Sequence, residues 1–170
     1  MKWTILCLAL YYFLQCHAQE LEEVLGRAAG IYKDPKKQIG LEKTVFVTGC
    51  NYGFINHLHN FKCFADRLGL KFLVASLDLQ THEYISNQTD MYSYLMTGVA
   101  NSIGSAATEF RSKQFNLITA KKKEVVHDIL VLGYDVLFSD TDVALVRDPI
   151  PHLLWEGVDY VHTVNTVCTE

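Results

Sequence analysis

A chain of 170 residues, 49% hydrophobic and 20% charged, is long enough to bury one core and is neither disordered nor fibrous in composition. Its net charge of -4, with a single short basic run at Lys121-Lys122-Lys123, excludes a nucleic-acid binder built on a basic stripe.

Residues 1–18 read as a secretory signal. Lys2 gives a charged start, Trp3 to Leu14 a mostly apolar stretch, and Cys16-His17-Ala18 a small-x-small cleavage site before Gln19. The apolar run is shorter than the roughly 20 residues a spanning helix needs, so a cleaved peptide is expected, with a short signal anchor and membrane tether as the other reading. The sequon Asn87-Gln88-Thr89 fits a lumenal or extracellular destination. Past the signal three cysteines remain, Cys50, Cys63 and Cys168. An odd number leaves at least one without a partner in the chain, and no Cys-x-x-Cys or close Cys/His cluster points to zinc.

Glu20 to Ala29 has Leu21, Val24, Leu25 and Ala28 on one side and predicts a short amphipathic helix, broken by Lys33-Asp34-Pro35-Lys36-Lys37. Residues 19–43 are expected to form a lead-in or stem, and 44–170 one domain. Thr44 to Thr48 is β-branched and apolar and predicts a first strand. Phe54, Leu58, Phe61, Ala65 and Leu68 then recur at helical spacing up to Gly69, which suits a left-handed stop. Phe72 to Ala75 gives a second strand ending at Asp78, completing a βαβ unit. Residues 79–113 show no sustained period, and Tyr92 to Met96 suggests a short helix. Gln114 to Leu132 is a strong helix with Phe115, Ile118, Val125, Ile129 and Leu132 on its apolar face, closed by Gly133. Lys122 projects onto that same face. Two readings of it stand: its methylene stem covers apolar surface while the ammonium reaches water, or the ammonium sits beside a phosphate group at the sheet's carboxyl edge. A strand at Val136 to Ser139 follows, then a rigid turn at Asp148-Pro149-Ile150-Pro151, a helical turn at His152 to Leu154, and a further strand at Val158 to Val164.

The organising stretch is Gly133 to Pro149, where a buried strand runs into Asp140-Thr141-Asp142. In open α/β sheets ligands bind beyond the carboxyl ends of the strands, and two carboxylates in one turn suit a divalent cation that carries phosphate oxygens. An Asp-x-Asp alone is cheap, and its position carries the weight. A haloacid-dehalogenase-like phosphatase fits poorly, because Ala144 stands where that motif wants Thr or Val and too little chain follows. The turn Thr48 to Gly53 lacks the dinucleotide-binding glycine spacing, no P-loop is present, and Ala144 and Leu145 break an EF-hand. His57 and His59 lie two apart on a helix and do not face each other, so solvated or packed histidines are expected there. The residues leave binding of a nucleotide sugar, with a cation offsetting the charge of its diphosphate.

The segment Lys122 to Pro149 resembles the nucleotide-diphospho-sugar transferase family, as do Val45 to Asn60, with Asn51-Tyr52-Gly53, and the strand ending at Asp78. The resemblance covers about residues 42 to 165. It implies a GT-A type, Rossmann-like α/β fold with a mixed, mostly parallel sheet and helices on both faces. It further implies glycosyl transfer from a UDP-linked donor to a glycan or protein hydroxyl, with Mn²⁺ or Mg²⁺ at Asp140 and Asp142, in the Golgi or ER lumen or in secreted form. Asp142 becomes the direct metal ligand, Asp140 a metal or ribose contact, Lys122 a diphosphate contact, and Thr48, Asn51, Tyr52, Gly53 and Asp78 the nucleotide side of the pocket. Asp148 is expected to cap the turn at Pro149. Domains of this type continue well beyond the Asp-x-Asp, so a donor-binding half, or a shortened relative that only binds nucleotide or a partner, is the expectation.

Overall fold

The computed structural model describes residues 17–96, 98, 103–154 and 156–163. Most of the expected signal, residues 1–16, lies outside them, as do Val164 and Cys168. Strands β1 (Thr44–Cys50), β2 (Leu73–Ser76), β3 (Tyr92–Leu95) and β4 (Asp135–Phe138) form one sheet in the order β3-β2-β1-β4, every neighbouring pair parallel. Helices α1 (residues 17–28), α2 (Ile55–Arg67), α3 (Leu79–Gln88), α4 (Lys113–Val131) and the short α5 (Ile150–Leu153) accompany it. The expected Rossmann-like α/β class is observed.

Alternation along the strands divides the core in two. Val45, Val47, Leu73 and Ala75 face Leu21, Val24 and Leu25 of α1 and Ile118, Val125 and Ile129 of α4. Phe46, Cys50 and Val74 face Leu58, Phe61 and Ala65 of α2, Ile85 of α3 and Ile150 of α5. Phe61 packs edge-on against Phe46 and Phe72, with centroids 5.5 and 5.1 Å apart. A fully buried side chain of this size contributes about 1.5–3 kcal/mol, so this aromatic knot holds α2 to the sheet. Every residue of β1 is buried, as befits the strand with neighbours on both sides, whereas β4 at the edge is half-exposed.

The helix ends follow from local chemistry. Gly69 adopts φ +68 after α2, with its N–H on the Asp66 carbonyl and that of Leu70 on Ala65, a paired closure that a Cβ would strain. The same pattern closes α4 at Gly133. Ser112 starts α4 by accepting from the Phe115 N–H at 3.1 Å.

Two expectations fail, and one helix lies where no element was expected. Tyr92 to Met96 is not helical: Tyr92–Leu95 is β3, paired along β2 from Leu73↔Tyr92 to Ser76↔Leu95. Helix α3 escaped notice because only Thr81 and Ile85 are buried along it, too few to set a period. Residues 158–163 form no strand; Val158, Tyr160 and Val161 are exposed, so this apolar run has no sheet to complete.

Candidate functional site

From β1 the chain builds β2 and β3 to one side, then returns through α4 to lay β4 on the other side of β1. The order therefore reverses between β1 and β4, the switch point where sheets of this kind open a crevice beyond their carboxyl ends. Ser139 donates its N–H to the Val47 carbonyl at 3.0 Å as the last rung. Beyond it the two chains part, one into Thr48 to Gly53 and the other into Asp140 to Asp142.

The acidic turn is closed by a bond of 3.4 Å from the Val143 N–H to the Asp140 carbonyl. Thr141 is buried at its corner while Asp140 and Asp142 are exposed on either side of it, so both carboxylates are on the solvent side. Asp140 Oδ1 lies 2.5 Å from Lys122 Nζ. Asp142 makes no hydrogen bond or ion pair to any other described residue. The turn is anchored downstream: Ile150 is buried, and Asp148 accepts from the Ile150 N–H at 3.0 Å and from the Tyr32 hydroxyl at 2.7 Å. Burial, then the bond to Asp148 and its charge, push the Tyr32 hydroxyl above its ordinary pKa. Asp148 is structural, as its place before Pro149 suggested.

Lys122 reaches the crevice from α4. Its stem runs over Gly49, where an added Cβ would meet Lys122 Cγ at 3.1 Å and Cε at 3.4 Å. The stem covers sheet surface, as the first reading expects, while the ammonium meets Asp140 at the sheet's carboxyl end.

The loop after β1 is held from within. Asp78 is buried and accepts from the Tyr52 N–H at 2.8 Å, the Thr81 N–H at 3.0 Å, the Thr81 hydroxyl at 2.8 Å and the Ser105 hydroxyl at 3.1 Å. Four donors fill the lone pairs of one carboxylate, so Asp78 holds the loop rather than presenting an open acceptor. Asn51, also buried, donates its amide to the carbonyls of Gly104 and Ala106 at 2.9 and 2.8 Å, which draws residues 104–107 over the end of β1. Gly53 tolerates that approach because it lacks a Cβ: one would stand 2.1 Å from Ala107 N. Thr48 Oγ1 and Asn51 Oδ1 are buried without a partner among the described residues, the unsatisfied state expected of groups that await water or ligand. The Tyr52 ring is half-buried edge-on to Tyr84, 5.9 Å between centroids. Cys50 is buried, and that burial, reinforced by Asp78 and opposed by Lys122, pushes its thiol up to about 12.

The structure thus brings Thr48, Asn51, Tyr52, Gly53, Lys122, Asp140 and Asp142 to one sheet edge, with Asp78 behind them. Gly49, Gly104 and Ser105 were missed, and only the small-residue composition around Gly98 to Ser105 hinted at a close-packed loop. His57 and His59 are exposed; His59 Nε2 lies 2.9 Å from the Tyr84 hydroxyl, and the His57 ring is tilted against that of Phe54, 5.8 Å between centroids. Among the described residues no three His, Cys, Asp or Glu side chains gather. A Mg²⁺- or Mn²⁺-type ion carried by a diphosphate needs only one or two carboxylates plus phosphate oxygens, a number that the exposed Asp142, with Asp140 two residues before it and paired to Lys122, can supply. No helix of the described residues is long and apolar enough to cross a membrane.

Residues 69–167 match the family described as nucleotide-diphospho-sugar transferase. The chain is 33% identical over 112 residues to a β-arabinofuranosyltransferase of Arabidopsis thaliana, covering 65% of this chain and 21% of that protein. It is 26% identical over 119 residues to each of two UDP-D-xylose:L-fucose α-1,3-D-xylosyltransferases of the same plant, covering 69% of this chain and 30% and 32% of theirs. The alignments thus span between about a fifth and a third of these curated relatives. No solved structure matches the chain significantly.

Proposed function

The chain belongs to the nucleotide-diphospho-sugar transferase family, and from that premise we propose that it forms the donor-binding half of a metal-dependent glycosyltransferase acting on a glycan or protein hydroxyl. The observation that carries this is the meeting, at the switch point between β1 and β4, of one lysine, two solvent-facing carboxylates and a small-residue loop with unpartnered buried polar atoms. A sugar diphosphate is anionic in the ground state and gains charge on the leaving group as the glycosidic bond breaks, so fixed positive charge there favours the transition state. Asp142, with Asp140 beside it, would hold Mn²⁺ or Mg²⁺, which supplies Lewis-acid stabilisation of that leaving group. Lys122 provides a second positive charge from the chain itself. Thr48 to Gly53 forms the nucleoside side of the pocket, with Asp78 and Asn51 fixing its shape.

A UDP-linked donor is the choice that the xylosyltransferase relatives support. The expected signal at residues 1–18 and the exposed Asn87 sequon support a lumenal or secreted setting. Calorimetric titration with UDP, with and without Mn²⁺, tests the donor site: cation-dependent binding is expected, and its absence overturns the reading. Release of radiolabelled sugar from a UDP-sugar separates a transferase from a module that binds without turnover.

A further inference from the structure

Lys122 is a long, flexible side chain whose stem runs over Gly49 on its way to Asp140. Gly49 is the sixth residue of β1, on the α4 face between the buried Val47 and the loop residue Asn51, and its φ is not in the left-handed region. Nothing in the backbone there asks for glycine, and in the middle of a strand glycine is unfavourable on its own account. What the position lacks is space, because Cγ, Cδ and Cε of Lys122 all lie within 3.1 to 3.7 Å of where a Cβ would stand. The stem uses that space as a track that delivers the ammonium to Asp140 at 2.5 Å.

We propose that Gly49 is a positioning residue for the donor diphosphate: its bare α-carbon seats the Lys122 stem so that the ammonium is already at the crevice when an anion arrives. This rests on the donor-binding reading for its function, though not for its geometry. Preorganisation of this kind lowers the ordering cost of binding. Gly49→Ala presses the stem back by a few tenths of an ångström, which is expected to loosen the ammonium from Asp140.

The test uses the full chain with Gly49→Ala, Lys122→Ala and both together, with thermal unfolding as the check of folding. Alanine restricts the unfolded chain more than glycine does, which offsets the crowding against the Lys122 stem, so Gly49→Ala is expected to stay folded and to melt close to the parent temperature. Acylation of Lys122, read by peptide mass spectrometry, is expected to quicken about threefold or more as the stem loses its seat. Affinity for UDP with Mn²⁺ is expected to fall about five- to tenfold, the scale of one charge-assisted contact. The same change is expected to be silent in the Lys122→Ala background, since coupled residues are not additive. Unchanged acylation, or an equal loss of affinity without Lys122, overturns the positioning role. Failure of the parent chain to bind UDP overturns the donor reading instead, and the acylation rates still decide Gly49.

Discussion

The carboxylate of Asp78 accepts the backbone N–H of Tyr52 at 2.8 Å while its other oxygen caps α3 through the Thr81 N–H at 3.0 Å. One buried side chain therefore fixes both the loop that ends β1 and the helix that follows β2. The site's shape is a property of this junction as much as of the residues facing the crevice.

Replacing Asp78 by alanine leaves four donors without their acceptor, two of them backbone N–H groups. The expected cost is about 3 kcal/mol or more in urea unfolding, from lost capping and buried unsatisfied groups together. If Asp78 served mainly as a nucleotide contact, stability would be nearly unchanged and only UDP affinity would drop.

Asp142→Ala is expected to abolish the Mn²⁺-dependent part of UDP binding, a loss of about a hundredfold or more, with little change in stability because the side chain is exposed. Asp140→Ala removes one acidic group and also releases Lys122, so its effect on affinity is expected to be smaller. Titration calorimetry with and without Mn²⁺ measures both, and undiminished binding by Asp142→Ala removes its assigned role.

Stability is expected to fall on the alkaline side. Burial pushes the Cys50 thiol from 9.0 to about 12 and the Tyr94 hydroxyl from 10.0 to about 12, the latter with Asp128, Glu20 and Glu124 adding to it. Both groups ionise first in the unfolded chain, so unfolding releases protons. The contribution is whole below pH 9 and drains away between pH 9 and 12, at about 1.4 kcal/mol per pH unit for each group while it titrates. Urea unfolding at stepped pH follows this, and Cys50→Ala should flatten the onset near pH 9. At pH 8 a thiol reagent should modify the exposed Cys63 in the native protein and spare Cys50.

Two glycines are expected to lose stability on replacement by alanine but to differ in their effect on binding. At Gly69 the cost is that of a left-handed conformation, about 1–2 kcal/mol, with UDP binding intact. At Gly53 the new Cβ would collide with the backbone of Ala106 and Ala107. Residues 104–107 must then leave their seat on Asn51, so binding is lost along with stability. Equal behaviour of the two variants in calorimetry would show that the covering loop plays no part in the site.

Much of the frame was legible because burial on both sides leaves strong patterns. β1, α2, β2 and α4 are long or uniformly apolar, and their glycine stops are local chemistry. Lys122 stood out because it interrupts an apolar stripe, and Asp140 and Asp142 because they follow a strand. β3 was misread because Tyr-Ser-Tyr-Leu is short and only Tyr94 is buried. The closure of residues 104–107 over Asn51 depends on contacts 53 and 55 residues apart, which no local period records. Asp78 looked like a strand terminus, and its role as a junction appears only when α3 and Ser105 are in place.

Tyr32 and the buried Ile150 clamp the far side of the acidic turn, while β4 clamps the near side. Between these moorings Val143, Ala144, Val146 and Arg147 are exposed. Leu145 between them packs against the α2-side core, so changes confined to the four exposed positions leave the scaffold intact, and in the transferase proposed above they are the natural place to seek altered sugar preference.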